Sequence, residues 1–158
     1  MEEKFMKLAI EMAVAGGTID EVPVGAVIVK GGEVIAKTHN NKESKNCAIF
    51  HAEIEAIIQA CKVVDNWYLD GCDIYVTLEP CAMCMGAIIN SRIDKVYFGA
   101  YDEKSGCCGS VYDFSADKSF NHRPIVKGGI LQNECAKLLS DYFLQKRLQN
   151  KEKKLSKI

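Results

Sequence analysis

Between residues 24 and 99 the chain alternates short β-branched runs with stretches of helical apolar period, which narrows the folds open to it. Val24 to Val29 reads as a strand, Gly31-Gly32 as a hairpin turn and Glu33 to Lys37 as the returning strand. Ile54, Ile57, Ile58 and Cys61 then recur at helical spacing, so a helix is expected from His51 to about Val64. Asp73 to Thr77 is a short buried strand. A helix follows from Pro80, a residue suited to a first turn, to about Ser91, and Lys95 to Gly99 is the next strand. Outside this stretch, Phe5, Leu8, Met12 and Ala13 predict a helix over residues 3–15 that Gly16-Gly17 end. A weak strand at Ile125-Val126 precedes a last helix from Asn133 to about Gln149, with Cys135, Leu138, Leu139, Tyr142 and Phe143 expected toward the core. This order predicts an α/β fold with one mixed five-stranded sheet, helices on both faces and right-handed parallel crossovers. With 158 residues, 48% of them hydrophobic, and no repeat or linker, the chain has material for one core, and a single domain over 1–158 is expected. Disorder is excluded by the same composition.

The formal net charge is only −1, yet it is unevenly spread. Residues 144–158 carry +5, through Lys146, Arg147, Lys151, Lys153, Lys154 and Lys157 against Glu152, and the rest of the chain carries −6. A basic C-terminal helix end on an acidic body is the asymmetry of a nucleic-acid contact. It is equally that of a solvated helix end whose lysines complement the helix dipole. No apolar run approaches membrane-span length, and the acidic start Met1-Glu2-Glu3-Lys4 lacks the order of a secretory signal, so a cytoplasmic protein is expected. In that compartment thiols stay reduced. Six of the eight cysteines (Cys47, Cys61, Cys72, Cys107, Cys108 and Cys135) show no paired spacing and are expected as small buried hydrophobes.

The remaining two, Cys81 and Cys84, lie one helical turn apart at the start of the predicted third helix. A helix N-terminus favours negative charge and lowers the cost of two thiolates. His51 at the start of the second helix completes a His-Cys-Cys set suited to zinc, one ion per chain, with a fourth tetrahedral position left for water. Two thiolates cancel the charge of Zn²⁺, and a water on such an ion loses a proton near neutral pH. Such a site needs a proton shuttle that is not a ligand, and Glu53 is the candidate. Mid-helix, residues i and i+2 face apart. His51 is therefore expected in the first turn or just ahead of it. A structural zinc site would instead need a fourth protein ligand, for which His39, Cys47 and His122 are available.

Together, His51-Ala52-Glu53 and Pro80-Cys81-Ala82-Met83-Cys84 match the zinc-deaminase signature His-x-Glu…Pro-Cys-x-x-Cys, and the role of the Glu as acid/base rather than ligand is taken from that signature. The chain also resembles the bacterial tRNA-specific adenosine deaminases of the cytidine-deaminase-like superfamily along nearly its whole length. The similar segments are Glu21 to Ala26, His39-Asn40-Asn41, Thr77 to Cys84, Ser91-Arg92-Ile93, Gly99 to Gly106, Gly109-Ser110, Asn121-His122-Arg123 and Glu134 to Phe143. It departs at Phe50, directly ahead of His51, where those proteins usually have a small residue; Phe50 is either packing or a reshaped pocket rim.

The resemblance implies a three-layer α/β/α fold and a homodimer that binds the anticodon stem-loop of a tRNA, with no membrane. It implies hydrolytic deamination of adenosine to inosine at the wobble position by zinc-activated water, with Glu53 as proton shuttle. It further implies substrate positioning by Asn40, packing of Val24 on the base, and contact of the base edge with main-chain groups of Leu78 and Glu79. Asp102 and Lys104 are implied contacts to neighbouring nucleotides, and Lys146 and Arg147 are candidate phosphate contacts. Met83, Met85 and Ile88 are apolar positions that either a dimer or the chain's own core can take up. The alternative activity is deamination of a small molecule (guanine, cytosine or a nucleotide) at the same zinc site. A zinc-stabilised RNA-binding module without catalysis is a third possibility.

Overall fold

Gly31 and Gly32 adopt φ of 58° and 81°, the left-handed pair that a tight hairpin requires, and they join β1 (Gly25–Lys30) to β2 (Glu33–His39). In the computed structural model, which describes residues 1–158, α1 (Glu2–Thr18) precedes this hairpin. After it come α2 (Ala52–Val64), β3 (Cys72–Leu78), α3 (Ala82–Asn90), β4 (Lys95–Ala100), β5 (Ile125–Lys127) and α4 (Gln132–Leu155). The strands form one sheet in the order β2-β1-β3-β4-β5. β1 is antiparallel to both neighbours, whereas β3, β4 and β5 run parallel. The expected mixed five-stranded sheet is thus present.

Both faces of the central strands are covered, which is why β1 reads as a continuous apolar run. Ala26, Ile28, Ile74 and Val76 turn to one face and pack with Ala52, Ala56 and Ala60 of α2 and Met85, Ile88 and Ile89 of α3. Val27, Val29 and Tyr75 turn to the other, against Phe5, Met6 and Ala9 of α1 and Cys135 of α4. The result is the three-layer arrangement, α2 and α3 on one side, α1 and α4 on the other. No helix is long and apolar enough to cross a membrane.

Several local expectations are corrected. Gly16 and Gly17 do not end α1, which continues to Thr18; the stop comes where Asp20 turns left-handed at φ 65°. Pro80 is not in the first turn of α3, because Cys81 is the N-cap residue and Pro80 lies ahead of it. Helix α4 extends six residues beyond Gln149, its far half held by no core contact. Of its five predicted core residues only Cys135 is buried; Leu138, Leu139 and Tyr142 are half-buried and Phe143 is 45% exposed. All eight cysteines are free; Cys72, Cys107 and Cys135 are buried as expected, but Cys47, Cys61 and Cys108 are only half-buried. Met85 and Ile88 belong to the chain's own core, while Met83 is half-exposed.

Candidate metal centre and pocket

The N-termini of α2 and α3 open on the same point, and a prospective ligand occupies the N-cap of each. His51 (φ −75°, ψ 156°) and Cys81 (φ −77°, ψ 177°) are both extended, and neither side chain caps its helix. Each cap position, where Ser or Asp would ordinarily cap, holds instead a residue able to ligate a metal. The extended backbone at His51 also resolves the i, i+2 problem: His51 precedes the first turn, so its ring and the Glu53 carboxylate can serve one site. His51 Nδ1 lies 3.7 Å from Cys81 Sγ and 3.6 Å from Cys84 Sγ. Zinc bonds of about 2.3 Å to sulfur and about 2.0–2.1 Å to nitrogen, set at the tetrahedral angle, require N···S separations of about 3.6 Å. The three donors therefore fit such an ion. They form a cluster, all within 4.8 Å of one another, that contains no fourth protein donor. His39 and His122 are engaged elsewhere, on the carbonyls of Asn40 (2.9 Å) and Ile93 (2.7 Å).

The electrostatics differ from group to group. The Cys84 thiol beside it, with the His51 imidazole, holds Cys81 down to about 4, against the opposing effect of burial. Cys84 is raised by the Cys81 sulfur and by its own burial. Glu53 is 4% exposed, and burial pushes its carboxyl up to about 7. That is the range in which a carboxyl can both take and give a proton near neutral pH.

A pocket of about 220 Å³ opens at this centre. Val24, Asn40, Leu78, Glu79 and Asp102 line it together with His51, Glu53 and Cys81, so the implied substrate residues converge on one cavity. Glu21, Val22, Lys42, Glu43 and Ser105 line it as well and were not singled out in the sequence. Their only signal there was position within or beside the similar segments, since each is brought in by a loop.

The roles open to the lining residues are narrowed by their bonds. Asn40 Oδ1 accepts the Ala52 N–H at 2.8 Å, the capping bond that His51 does not make, and Nδ2 donates weakly to the Val22 carbonyl at 3.3 Å. The main-chain N–H of Glu79 donates to the Ala100 carbonyl at 2.8 Å and is not free for a base edge. The Glu79 carboxylate accepts from the Ser110 hydroxyl at 2.5 Å and from the main-chain N–H groups of Cys108 and Ser110 at 3.3 Å, so it organises the loop after β4. Gly106 lies against that carboxylate, and a Cβ there would collide with it. Asp102 likewise accepts the Lys104 and Ser105 N–H groups and the Ser105 hydroxyl.

The basic candidates separate. Lys104 is exposed in an adjoining groove with Val22, Leu78, Leu139 and Phe143. Lys146 is bonded to Asp20 at 2.6 Å, a fixed ion pair and not a free cation, and Arg147 is exposed on α4. Phe50 does not line the pocket; it is half-buried beneath the Lys45 ammonium, 4.6 Å from its ring centre.

The profile of the MafB19-like deaminase family matches residues 1–147. The tRNA-specific adenosine deaminase of Bacillus subtilis (strain 168) is 45% identical over 150 residues, covering 95% of this chain and 93% of its own. That of Aquifex aeolicus (strain VF5) is 44% identical over 149 residues, 94% of this chain and 97% of its own. A solved structure from studies of A-to-I editing by tRNA:A34 deaminases at the wobble position superposes with a TM-score of 0.84 at 43% identity, over 86% of this chain and 99% of that one. A guanine deaminase from Bacillus subtilis superposes with a TM-score of 0.60 at 42% identity, over 63% of this chain and 64% of that one. With identity above 40% along nearly the whole chain and the fold in common, the chain belongs to the MafB19-like deaminase family and to its tRNA-specific adenosine deaminases.

Proposed function

We propose that this protein hydrolytically deaminates adenosine to inosine at the wobble position of a tRNA anticodon. The observation that carries the chemistry is the three-donor cluster of His51, Cys81 and Cys84 with a buried carboxylate, Glu53, beside it and not within it. His51 Nδ1 and the Cys81 and Cys84 sulfurs would hold Zn²⁺, which when bound would supply an activated water. Glu53 takes the proton that this water releases and delivers it to N1 of adenine, which makes C6 electrophilic. The water oxygen bonds to C6; Glu53 then takes the remaining proton of that hydroxyl and passes it to the amino group as the C6–N6 bond breaks, so that ammonia leaves and the C6 oxygen becomes the carbonyl of inosine. Val24 packs on the base, and the second N–H of the Asn40 amide orients the nucleotide. A loop base splayed from its stack can enter a pocket of this volume, which suits single-stranded RNA.

Incubation with an anticodon stem-loop bearing a wobble adenosine should yield inosine, read by sequencing and by mass. Replacement Glu53→Ala should abolish turnover while the metal content and the melting curve stay those of the parent. Undiminished deamination by this variant would remove Glu53 from the mechanism.

The similarity to a guanine deaminase favours one second reading, turnover of a free base or nucleotide. Activity on guanine, cytosine or a nucleotide and none on the stem-loop would establish it. For the assembly we infer a cytoplasmic homodimer. Ile58 of α2, 42% exposed, and the half-exposed Met83 of α3 are apolar groups on one layer that a second copy would cover. A monomeric mass in sedimentation would overturn this assignment.

A further inference from the structure

Glu21 is 1% exposed, in the link between α1 and β1, and all three of its donors come from one short stretch 22 or 23 residues later. Ser44 gives Oε1 its main-chain N–H at 2.6 Å and its hydroxyl at 2.8 Å; Glu43 gives Oε2 its N–H at 3.2 Å. A buried carboxylate is a costly way to fill space. What it supplies that an apolar side chain does not is a fixed direction for the loop bonded to it. That loop has no regular structure and its residues 42–46 are exposed. It is closed on itself by the Lys42 carbonyl, which accepts the Cys47 N–H at 3.0 Å. The Lys42 backbone is therefore held from both sides, while its ammonium makes no ion pair with any carboxylate of the chain.

The charge around the pocket gives this arrangement its use. Five carboxylates line it (Glu21, Glu43, Glu53, Glu79 and Asp102) and Lys42 is the single lysine or arginine among the lining residues. A strand of RNA brings phosphates against a mouth of this composition, where a cation in a set place is the one favourable partner. We propose that Glu21 is a positioning residue that fixes the 42–46 loop so that Lys42 meets a phosphate of the RNA entering the pocket. This rests on the RNA reading given above.

The test measures binding apart from turnover. Anticodon stem-loop affinity is taken by fluorescence anisotropy across a salt series in the Glu53→Ala background, and inosine formation is followed separately in the parent. Lys42→Ala should weaken binding about tenfold or more, the scale of one charged hydrogen bond. It should also flatten the slope of log Kd against log salt by about 0.7, the effect of freeing one phosphate of a single strand from its cation. Glu21→Gln should move both quantities in the same direction, and with Lys42→Ala it should add less than about twofold, the coupling expected of two residues acting through one phosphate. Ser44→Ala is the milder variant should Glu21→Gln unfold, expected to weaken binding about two- to threefold through removal of one donor.

An unaltered salt slope in Glu21→Gln, or fully additive effects, would reduce Glu21 to a structural residue and overturn the proposal. Unchanged binding by Lys42→Ala would do the same. Lys42-dependent binding without inosine formation in the parent would support the phosphate partnership and defeat the deaminase reading, so the two failures are distinct.

Discussion

A carboxylate shut away from water stays charged when the protein supplies donors in place of solvent, and Glu21 and Glu53 show the two outcomes. At Glu21 burial works to raise the carboxyl, but the Ser44 and Glu43 donors outweigh it and hold the group below its usual range. A lowered native value means that the contribution to stability is complete above the unfolded value of about 4.3 and is lost as pH falls through the lower native one. Glu21→Gln should therefore unfold with a shallower pH dependence below about pH 4.3 than the parent. Parallel acid-unfolding curves from circular dichroism would show that Glu21 is not held charged. At Glu53 burial outweighs the groups that oppose it, and the carboxyl stands near neutrality instead. The proposed metal donors and proton shuttle were legible in the sequence because their spacing is local: His51 with Glu53, Cys81 with Cys84. Glu21 and Lys42 were not, since the bonds that give Glu21 its place reach across 22 or 23 positions and leave no periodic trace.

Helix α2 begins without a cap of its own, and the acceptor that satisfies its Ala52 N–H comes from Asn40, twelve residues earlier. Replacement Asn40→Ala should cost about 0.5–2 kcal/mol, the range for deleting a cap, read from urea unfolding. Because the same turn carries His51 and Glu53, kcat/KM should fall by more than that change in stability accounts for. Asn40→Asp keeps the acceptor but faces the Val22 carbonyl without a donor, so it should retain most of the stability and still impair substrate use. Equal effects in both variants would deny Asn40 its second role. Every predicted helix and strand is present, because alternation and helical period survive the choice of neighbours. The ends were harder to read. Gly16-Gly17 lie inside α1 because the turn is made at Asp20, and Pro80 precedes its helix because Cys81 takes the N-cap. Toward its far end α4 follows helix propensity and charge spacing, with no core beneath it to mark a boundary.

Across the whole molecule, the basic end and the acidic body have been given separate work. Lys146 is spent on Asp20, whereas Lys151, Lys153, Lys154 and Lys157 stand exposed beyond it. Ending the chain after Asn150 should keep the ion pair and the fold yet weaken stem-loop binding. The salt slope should flatten by about 0.7 for each phosphate that no longer meets a lysine. An unchanged slope would make this segment a solvated helix end. The charge asymmetry was visible in the sequence, but the division of labour within it was not, because it depends on which lysine the fold brings to a partner. The Asp20–Lys146 pair joins residues 126 positions apart. During synthesis, then, the last of the three metal donors, Cys84, leaves the ribosome some sixty residues before Lys146 can fasten the segment that leads into Glu21 and Val22. The donor cluster is thus complete in the nascent chain before the Asp20–Lys146 pair can form beside the pocket.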